Sequence, residues 1–289
     1  MNHAVKKCIL YHFADDTNLL CSGKNIKKLT KQMNKELASL FDWLCSNRLS
    51  LNVAKTEFLI FRPSKKFNET TKLRINQTTI KESGKIKYLG IFLDRYLSFS
   101  FHITELCKKL ATAVGMLHKM KNLCSDNTLK SIYYSLFHSH MTYGISIWGL
   151  AKPTLTQKVY FLQKKAARII EKADYLAHTN PIFKKHKILK CTDQYTVNLA
   201  SLMWELDHDK IPKSLKIWFE KPKHSYNTRF MRKGKIRPIK YNTNKFGKYS
   251  FRYEGYKILN LLKDESIYME STTKKSLQTK LKLEIFKNY

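Results

Sequence analysis

Apolar positions change their spacing along this chain, and each change marks a different kind of element. Near the start, Cys8-Ile9-Leu10-Tyr11-His12-Phe13 is a continuous β-prone run that predicts a buried strand. Thr17-Asn18-Leu19-Leu20-Cys21 predicts a second strand, so Asp15 and Asp16 fall at the tip of a tight strand-turn-strand. From Asn25, a plausible N-cap, the spacing turns helical. Ile26, Leu29, Met33, Leu37, Leu40, Phe41 and Leu44 form one stripe that ends near Asn47, with lysines on the opposite face.

Strand-like runs then return. Phe58-Leu59-Ile60-Phe61 is stopped by Pro63, and Leu73-Arg74-Ile75 and Thr78-Thr79-Ile80 flank the turn pair Asn76-Gln77. Ile86 to Asp94 reads as an apolar strand interrupted by Gly90, which suggests a bulge or a close approach of backbone. From residue 101 the period is helical and stays so. Ile103, Leu106, Leu110, Val114, Leu117 and Met120 make one stripe, and Leu129, Ile132, Tyr133, Leu136 and Phe137 a second. Pro153-Thr154 opens a third helix burying Leu155, Val159, Leu162, Ala166, Ile169 and Ile170. A further amphipathic pattern resumes near Ser271, and no repeat of fixed period is present. Strands with one helix followed by a helical region predict an α+β unit and then an α domain. The expected boundaries are 1–100, 101–220 and a basic region over 221–289.

Charge changes this picture more than composition does. Lys and Arg total 54 against 22 Asp and Glu, a formal net charge of +32 spread over the whole length. Such an excess concerns partners rather than fold, and nucleic acid is the leading one; the bland reading is a merely soluble basic protein. Six cysteines, at 8, 21, 45, 107, 124 and 191, show no C-x-x-C pair and no zinc spacing. They read as reduced thiols packed as small hydrophobes. The first residues do not form a secretory signal, and no apolar stretch reaches the ~18 residues needed to span a bilayer. The expectation is a soluble intracellular protein without a membrane partner, nucleus and cytoplasm being indistinguishable.

Two adjacent carboxylates at a turn suit a hard ion such as Mg²⁺, which wants oxygen ligands and keeps several waters. Nucleotidyl transfer uses two such ions ~4 Å apart, and a third carboxylate from a neighbouring strand would complete the site. The alternative for Asp15-Asp16 is a solvated turn, since Asp favours turns anyway. Lys158, Lys165, Arg168 and Lys172 share one flank of the third helix, apart from its apolar stripe, and could track a phosphate backbone. A solvated face is the competing reading. The segment from Lys221 to Lys248 carries ten Lys and Arg residues, both ends included, and no acidic one, interleaved with Tyr226, Phe230, Tyr241 and Phe246. That mixture, including Arg229, Arg232 and Lys233, suits single-stranded or hybrid-duplex binding, with disorder as the alternative. His138 and His140 read as packing or surface residues, and Trp148 and Trp204 as core.

The order of these motifs resembles that of non-LTR (LINE-type) retrotransposon reverse transcriptases. Phe13-Ala14-Asp15-Asp16-Thr17 looks like their active-site hairpin. The helix with Trp43-Leu44 and Asn47, then Leu49-Ser50-Leu51-Asn52 and Lys55-Thr56-Glu57, resembles their next palm motif. Lys87-Tyr88-Leu89-Gly90-Ile91 with Leu93-Asp94 resembles the primer-grip hairpin. Tyr143-Gly144, Trp148-Gly149, Leu162-Gln163-Lys164-Lys165-Ala166 and Arg168-Ile169-Ile170 are similar to the region after the palm. Pro181-Ile182-Phe183, Ile188-Leu189-Lys190 and His224-Ser225-Tyr226-Asn227-Thr228-Arg229 continue it.

The resemblance implies a partial reverse-transcriptase palm, antiparallel strands plus one helix, followed by a helical thumb-like region. It implies Mg²⁺-dependent DNA synthesis on an RNA template, with RNA and a DNA primer or hybrid as partners. Asp15 would ligate the metal with Asp16 as its supporting neighbour. Lys55 would protonate the departing pyrophosphate, unless it is a solvated lysine at a strand start. Tyr88, Leu89 and Gly90 would position the primer end, unless they form an ordinary core strand. In the family a further metal-binding Asp and a glycine-containing template grip lie upstream of the hairpin. Here no acidic residue precedes Asp15. The expectation is a C-terminal portion that does not extend a primer alone, completed by an upstream polypeptide. The alternative is a non-catalytic RNA- or DNA-binding protein that keeps the basic thumb surface.

Overall fold

The computed structural model describes residues 5–62, 71–219, 250–264 and 271–289. The chain forms two compact units, Met1–Ser98 and Phe99–Tyr289. Its class is α+β.

The first unit begins with β1 (Ile9–Phe13) and β2 (Asp16–Leu20), an antiparallel ribbon in which Phe13 pairs with Asp16 and Ile9 with Leu20. α1 (Ile26–Ser46) follows, and the Asn25 side chain caps it by accepting from the Lys28 backbone N–H. Its buried face divides between two small clusters. Leu37 packs with Leu73, Ile75 and Ile80, while Leu40 and Leu44 pack with Val5 and receive Leu10 and Leu19 from the ribbon. β3 (Glu57–Phe58) pairs in parallel with β6 (Lys81–Glu82). β4 (Arg74–Ile75) and β5 (Thr78–Thr79) close around Asn76 and Gln77, both left-handed as a type I′ turn requires.

Two strand expectations are corrected. β1 is not a buried strand: Ile9, Tyr11 and Phe13 are 54%, 41% and 62% exposed. A two-stranded ribbon has one face for α1, taken by the cross-strand pair Leu10 and Leu19, and the other face carries these exposed side chains. Gly90 does not interrupt a strand either. β7 (Lys85–Tyr88) and β8 (Ile91–Asp94) are antiparallel partners, and Leu89-Gly90 is the two-residue turn between them, with φ 44° and 81°. The run conceals the reversal because the alternation of Lys85-Ile86-Lys87-Tyr88 leads straight into the apolar Ile91-Phe92-Leu93, and the turn residue Leu89 is itself apolar. Phe58 to Phe61 contributes only its first residue to a strand.

The cysteine expectation also changes. Cys8 and Cys21 are disulfide-bonded, Cα to Cα 4.7 Å, one residue beyond the Ile9–Leu20 pair. Antiparallel pairing sets them opposite each other, which their 13-residue separation does not advertise. Cys45, Cys107, Cys124 and Cys191 are free thiols.

The second unit is helical: α2 (Ser100–Met120), α3 (Asp126–Ile132), the single turns α4 (Ser139–Thr142) and α5 (Ile145–Trp148), α6 (Pro153–Ile170), α7 (Thr179–His186) and α8 (Cys191–Asp207). Between α3 and α4 a π-helical segment spans Tyr133–His138. Leu129, Tyr133, Phe137 and Met141 are all fully buried at a constant spacing of four. On an α-helix that spacing drifts about 40° per step. The wider π turn absorbs the drift and keeps all four on one face.

α2 and α6 pack along each other, and α8 is covered by the helices Phe251–Asp264 and Lys274–Lys287. Val197, Ala200, Met203, Trp204, Tyr256 and Leu277 are among the residues buried there. Gly144 begins α5 with φ 60°, and the Trp148 indole N–H donates to the Tyr143 carbonyl at 2.9 Å. A Cβ on Gly149 would lie 2.5 Å from the Tyr195 ring, so this glycine is set by close packing. Among the described residues no helix is long and apolar enough to cross a membrane.

Candidate functional site

The β1–β2 ribbon presents Asp15 within its two-residue turn and Asp16 as the first residue of β2. Both are exposed. The turn takes its left-handed residue at Ala14, φ 52°, the position where a type II′ turn favours glycine. His12 Nδ1 lies 3.2 Å from the Thr17 hydroxyl across the strands. The base of the ribbon is fastened to α1 by two polar residues. Glu36 is buried and accepts from the backbone N–H groups of Lys6 and Lys7 at 2.7 and 3.2 Å. Gln32 donates to the Lys7 carbonyl and to the Cys21 sulfur.

Several other carboxylates of this unit are engaged in scaffolding. Glu82 pairs with Arg62 and Arg95, each at 2.9 Å. Glu57 accepts from the Ser83 hydroxyl at 2.7 Å, with Lys81 at 3.6 Å. Asp94 accepts from the Tyr96 N–H and from the Ser98 N–H and hydroxyl, closing the turn after β8. Asp42 is exposed on α1, and Glu69 lies outside the described residues. No group of three His, Cys, Asp or Glu side chains that could hold a metal forms among the described residues. The ribbon tip therefore presents two adjacent carboxylates, with no third acid grouped with them among the described residues.

Lys55 ends a one-turn 3₁₀ helix, Val53–Lys55, with its backbone N–H donating to Asn52 Oδ1, and its side chain is exposed. No hydrogen bond or ion pair of the described residues joins it to Asp15 or Asp16. Tyr88, Leu89 and Gly90 sit at the tip of the β7–β8 hairpin, Tyr88 and Leu89 half-buried and Gly90 exposed.

In the second unit, α6 buries Val159, Gln163, Ala166, Ala167 and Ile170. At 100° per residue, Lys158, Lys165 and Arg168 project from the opposite side of the helix, with Lys164 beside them. Lys172 continues that line just past the helix end, where Asp126 lies 3.4 Å away and offsets part of its charge. Gln163, within the motif that carries the lysines, is wholly buried. Its amide donates to the Tyr133 hydroxyl at 3.0 Å and the Leu189 carbonyl at 2.8 Å, and its oxygen accepts from the Cys191 N–H at 2.8 Å. Burial, first of all, pushes the Tyr133 phenol up. His138 is half-buried, and burial holds its ring below the ordinary imidazole value; His140 is exposed. Trp148 and Trp204 are core residues. Arg229, Arg232 and Lys233 lie outside the described residues.

Sequence reasoning did not foresee Glu36 and Gln163. Each is polar at a position where the helical stripe turns inward, a signal that existed but was overshadowed by the apolar positions beside it.

An acid-tipped ribbon on one helix, and a separate helical unit with a lysine- and arginine-lined face, define an α+β protein. Comparison with known proteins gives the kind: the chain is similar to RNA-directed DNA polymerases of non-LTR retrotransposons. It is 28% identical over 185 residues to the RNA-directed DNA polymerase from mobile element jockey of Drosophila melanogaster, covering 63% of this chain and 20% of that protein. It is 27% identical over 173 residues to the probable RNA-directed DNA polymerase from transposon BS of the same fly, covering 59% and 19%. A Pol polyprotein from the type-1 retrotransposable element R1 of Bradysia coprophila is 24% identical over 139 residues, covering 47% of this chain and 14% of that protein. The chain thus spans about a fifth of the length of the first of these relatives. No protein-family model and no solved structure matches the chain. The likeness seen in the order of motifs and these similarities agree.

Proposed function

We propose that this chain is the C-terminal part of a non-LTR reverse transcriptase, with the first unit as a partial palm and the second as a thumb-like nucleic-acid holder. The observation that carries the reading is the two-residue turn placing Asp15 and Asp16 at a ribbon tip, in a chain similar to RNA-directed DNA polymerases. Asp15 holds Mg²⁺, with Asp16 as its neighbour; bound there, the ion neutralises phosphate charge. Lys55 donates a proton to departing pyrophosphate, and the Tyr88-Leu89-Gly90 turn positions the primer end. Lys158, Lys165, Arg168 and Lys172, with Arg229, Arg232 and Lys233, bind the sugar-phosphate backbone of an RNA template and its DNA hybrid.

Two carboxylates do not build the clamp that in-line displacement needs. On this reading the chain does not extend a primer by itself, and another polypeptide supplies the third acid. The open face of Ile9, Tyr11 and Phe13 suits such an added layer. Primer extension on an RNA template with Mg²⁺ tests this: the chain alone should give none, and a complementing polymerase fragment should restore extension that Asp15→Ala abolishes. Extension by the chain alone, or restored extension indifferent to Asp15→Ala, sinks the assignment. The second reading is a non-catalytic RNA- or DNA-binding protein, favoured by the net charge of +32. It predicts salt-dependent binding with no extension under either condition.

A further inference from the structure

The outward side of α6 is not only basic. Phe161 stands in its middle, 56% exposed, flanked by Lys158, Lys164, Lys165 and Arg168. No carboxylate lies on α6 at all. Lys164 Nζ sits 5.8 Å from the centre of the Phe161 ring and 4.7 Å from that of Tyr160. One turn beyond the helix, Tyr175 is 73% exposed, and the Arg168 guanidinium lies 6.0 Å from its ring centre. Arg168 is itself held in place, its Nε donating to the Ala177 carbonyl at 2.8 Å. Phe161 and Arg168 are separated by two turns, about 10 Å of helix axis.

An exposed aromatic ring gains nothing for the core, and here there are two, Phe161 on α6 and Tyr175 in the turn beyond it, each with a cation alongside. We propose that this face binds an unpaired nucleic-acid strand, with Phe161 and Tyr175 as stacking platforms for bases and the neighbouring cations taking the phosphates. Flat rings beside positive charge match the two surfaces that a single strand offers together, a base face and a phosphate. A duplex keeps its base faces inside the stack and presents only phosphates and groove edges, so the rings would be idle against it. An acidic protein partner would meet the cations but not the rings. The proposal rests on the nucleic-acid reading above and adds the form of the strand and the residues that contact its bases.

Fluorescence anisotropy of the full chain with a labelled single strand and with its duplex, each across a salt series, tests it. Phe161→Ala and Tyr175→Ala should each weaken single-strand binding about five-fold or more, leaving duplex affinity and both salt slopes unchanged. Phe161→Trp should retain single-strand affinity, which separates stacking from a folding defect. Unchanged single-strand affinity in the double alanine variant overturns the proposal while leaving the basic-surface reading in place. A wild-type chain that binds neither form overturns both. If the double variant alters only self-association, the face is a protein-docking surface and the proposal also fails.

Discussion

The Gln163 side-chain amide donates to the Tyr133 hydroxyl at 3.0 Å inside the second unit, joining the middle of α6 to the first residue of the π segment. The same amide group also engages the start of α8 through Leu189 and Cys191. Replacing it by an isosteric apolar residue leaves a carbonyl, an N–H and a phenol without this partner in a dry interior. Gln163→Leu should cost about 3 kcal/mol, the sum of several unmet buried groups. A urea titration of the second unit's helical signal would read it; a loss below ~1 kcal/mol would mean that water replaces the amide.

Ala14 sits at φ 52°, where an L-residue pays for the clash of its Cβ. Ala14→Gly should relieve that strain but add flexibility to the unfolded chain, leaving a net gain of about 0.5 kcal/mol in the ribbon. Slower amide exchange in β1 and β2 would show it, and faster exchange would count against strain at this turn.

Glu171, just beyond α6, receives the Lys185 ammonium at 2.6 Å and lies 2.7 Å from His186 Nε2 at the end of α7. The hydrogen bond from Lys185, more than any other cause, holds its carboxyl below the ordinary 4.5. A carboxylate lowered on folding contributes stability above its unfolded value and loses it as the pH falls through the folded one. The melting-temperature difference between the native chain and Glu171→Gln should therefore be fullest near neutrality and shrink below about pH 4.5. The side chain is partly solvated, so the whole effect stays under ~1 kcal/mol. A difference that grows on acidification would contradict the pairing.

Lys158 and Lys165 have no carboxylate nearby on their helix face, whereas Lys172 shares its charge with Asp126. If the first two each neutralise one phosphate of a single strand, their joint replacement by Gln removes about 2 × 0.7, or ~1.4, from the slope of log K against log salt. Lys172→Gln should remove less. Filter binding across a salt series distinguishes these, and equal effects from all three would show that Asp126 does not compete.

Much of the fold was legible wherever a local rule governs it. Asn25 caps α1, Asn76-Gln77 turn β4 into β5, and Pro153 opens α6, because a cap, a left-handed pair and a fixed φ each act within a few residues. The acid pair at a ribbon tip was readable for the same reason. Glu36, Gln163 and the Cys8–Cys21 disulfide were not, since what they bind lies 13 to 30 residues away in sequence. The exposure of β1 is not legible because apolar side chains record what a strand can bury and not whether a neighbour is there to cover it. Phe161 is hidden among the lysines for the opposite reason: a helical wheel shows which way a ring faces only once the buried side is known.

The division of the first unit's apolar interior into two small clusters has a thermodynamic consequence. Neither the group around Leu37 and Ile75 nor that around Leu40 and Leu44 is large enough to enforce a single cooperative transition on its own. The segment carrying Asp15 and Asp16 meets both of them through Leu19, while Leu10 reaches only the second. Leu19 therefore couples the ribbon to both halves of the buried face of α1, so the acid tip opens only when contacts in both clusters loosen. The hold of the acid tip on the rest of the unit thus depends more on Leu19, a shared side chain, than on Leu10, which serves one cluster alone.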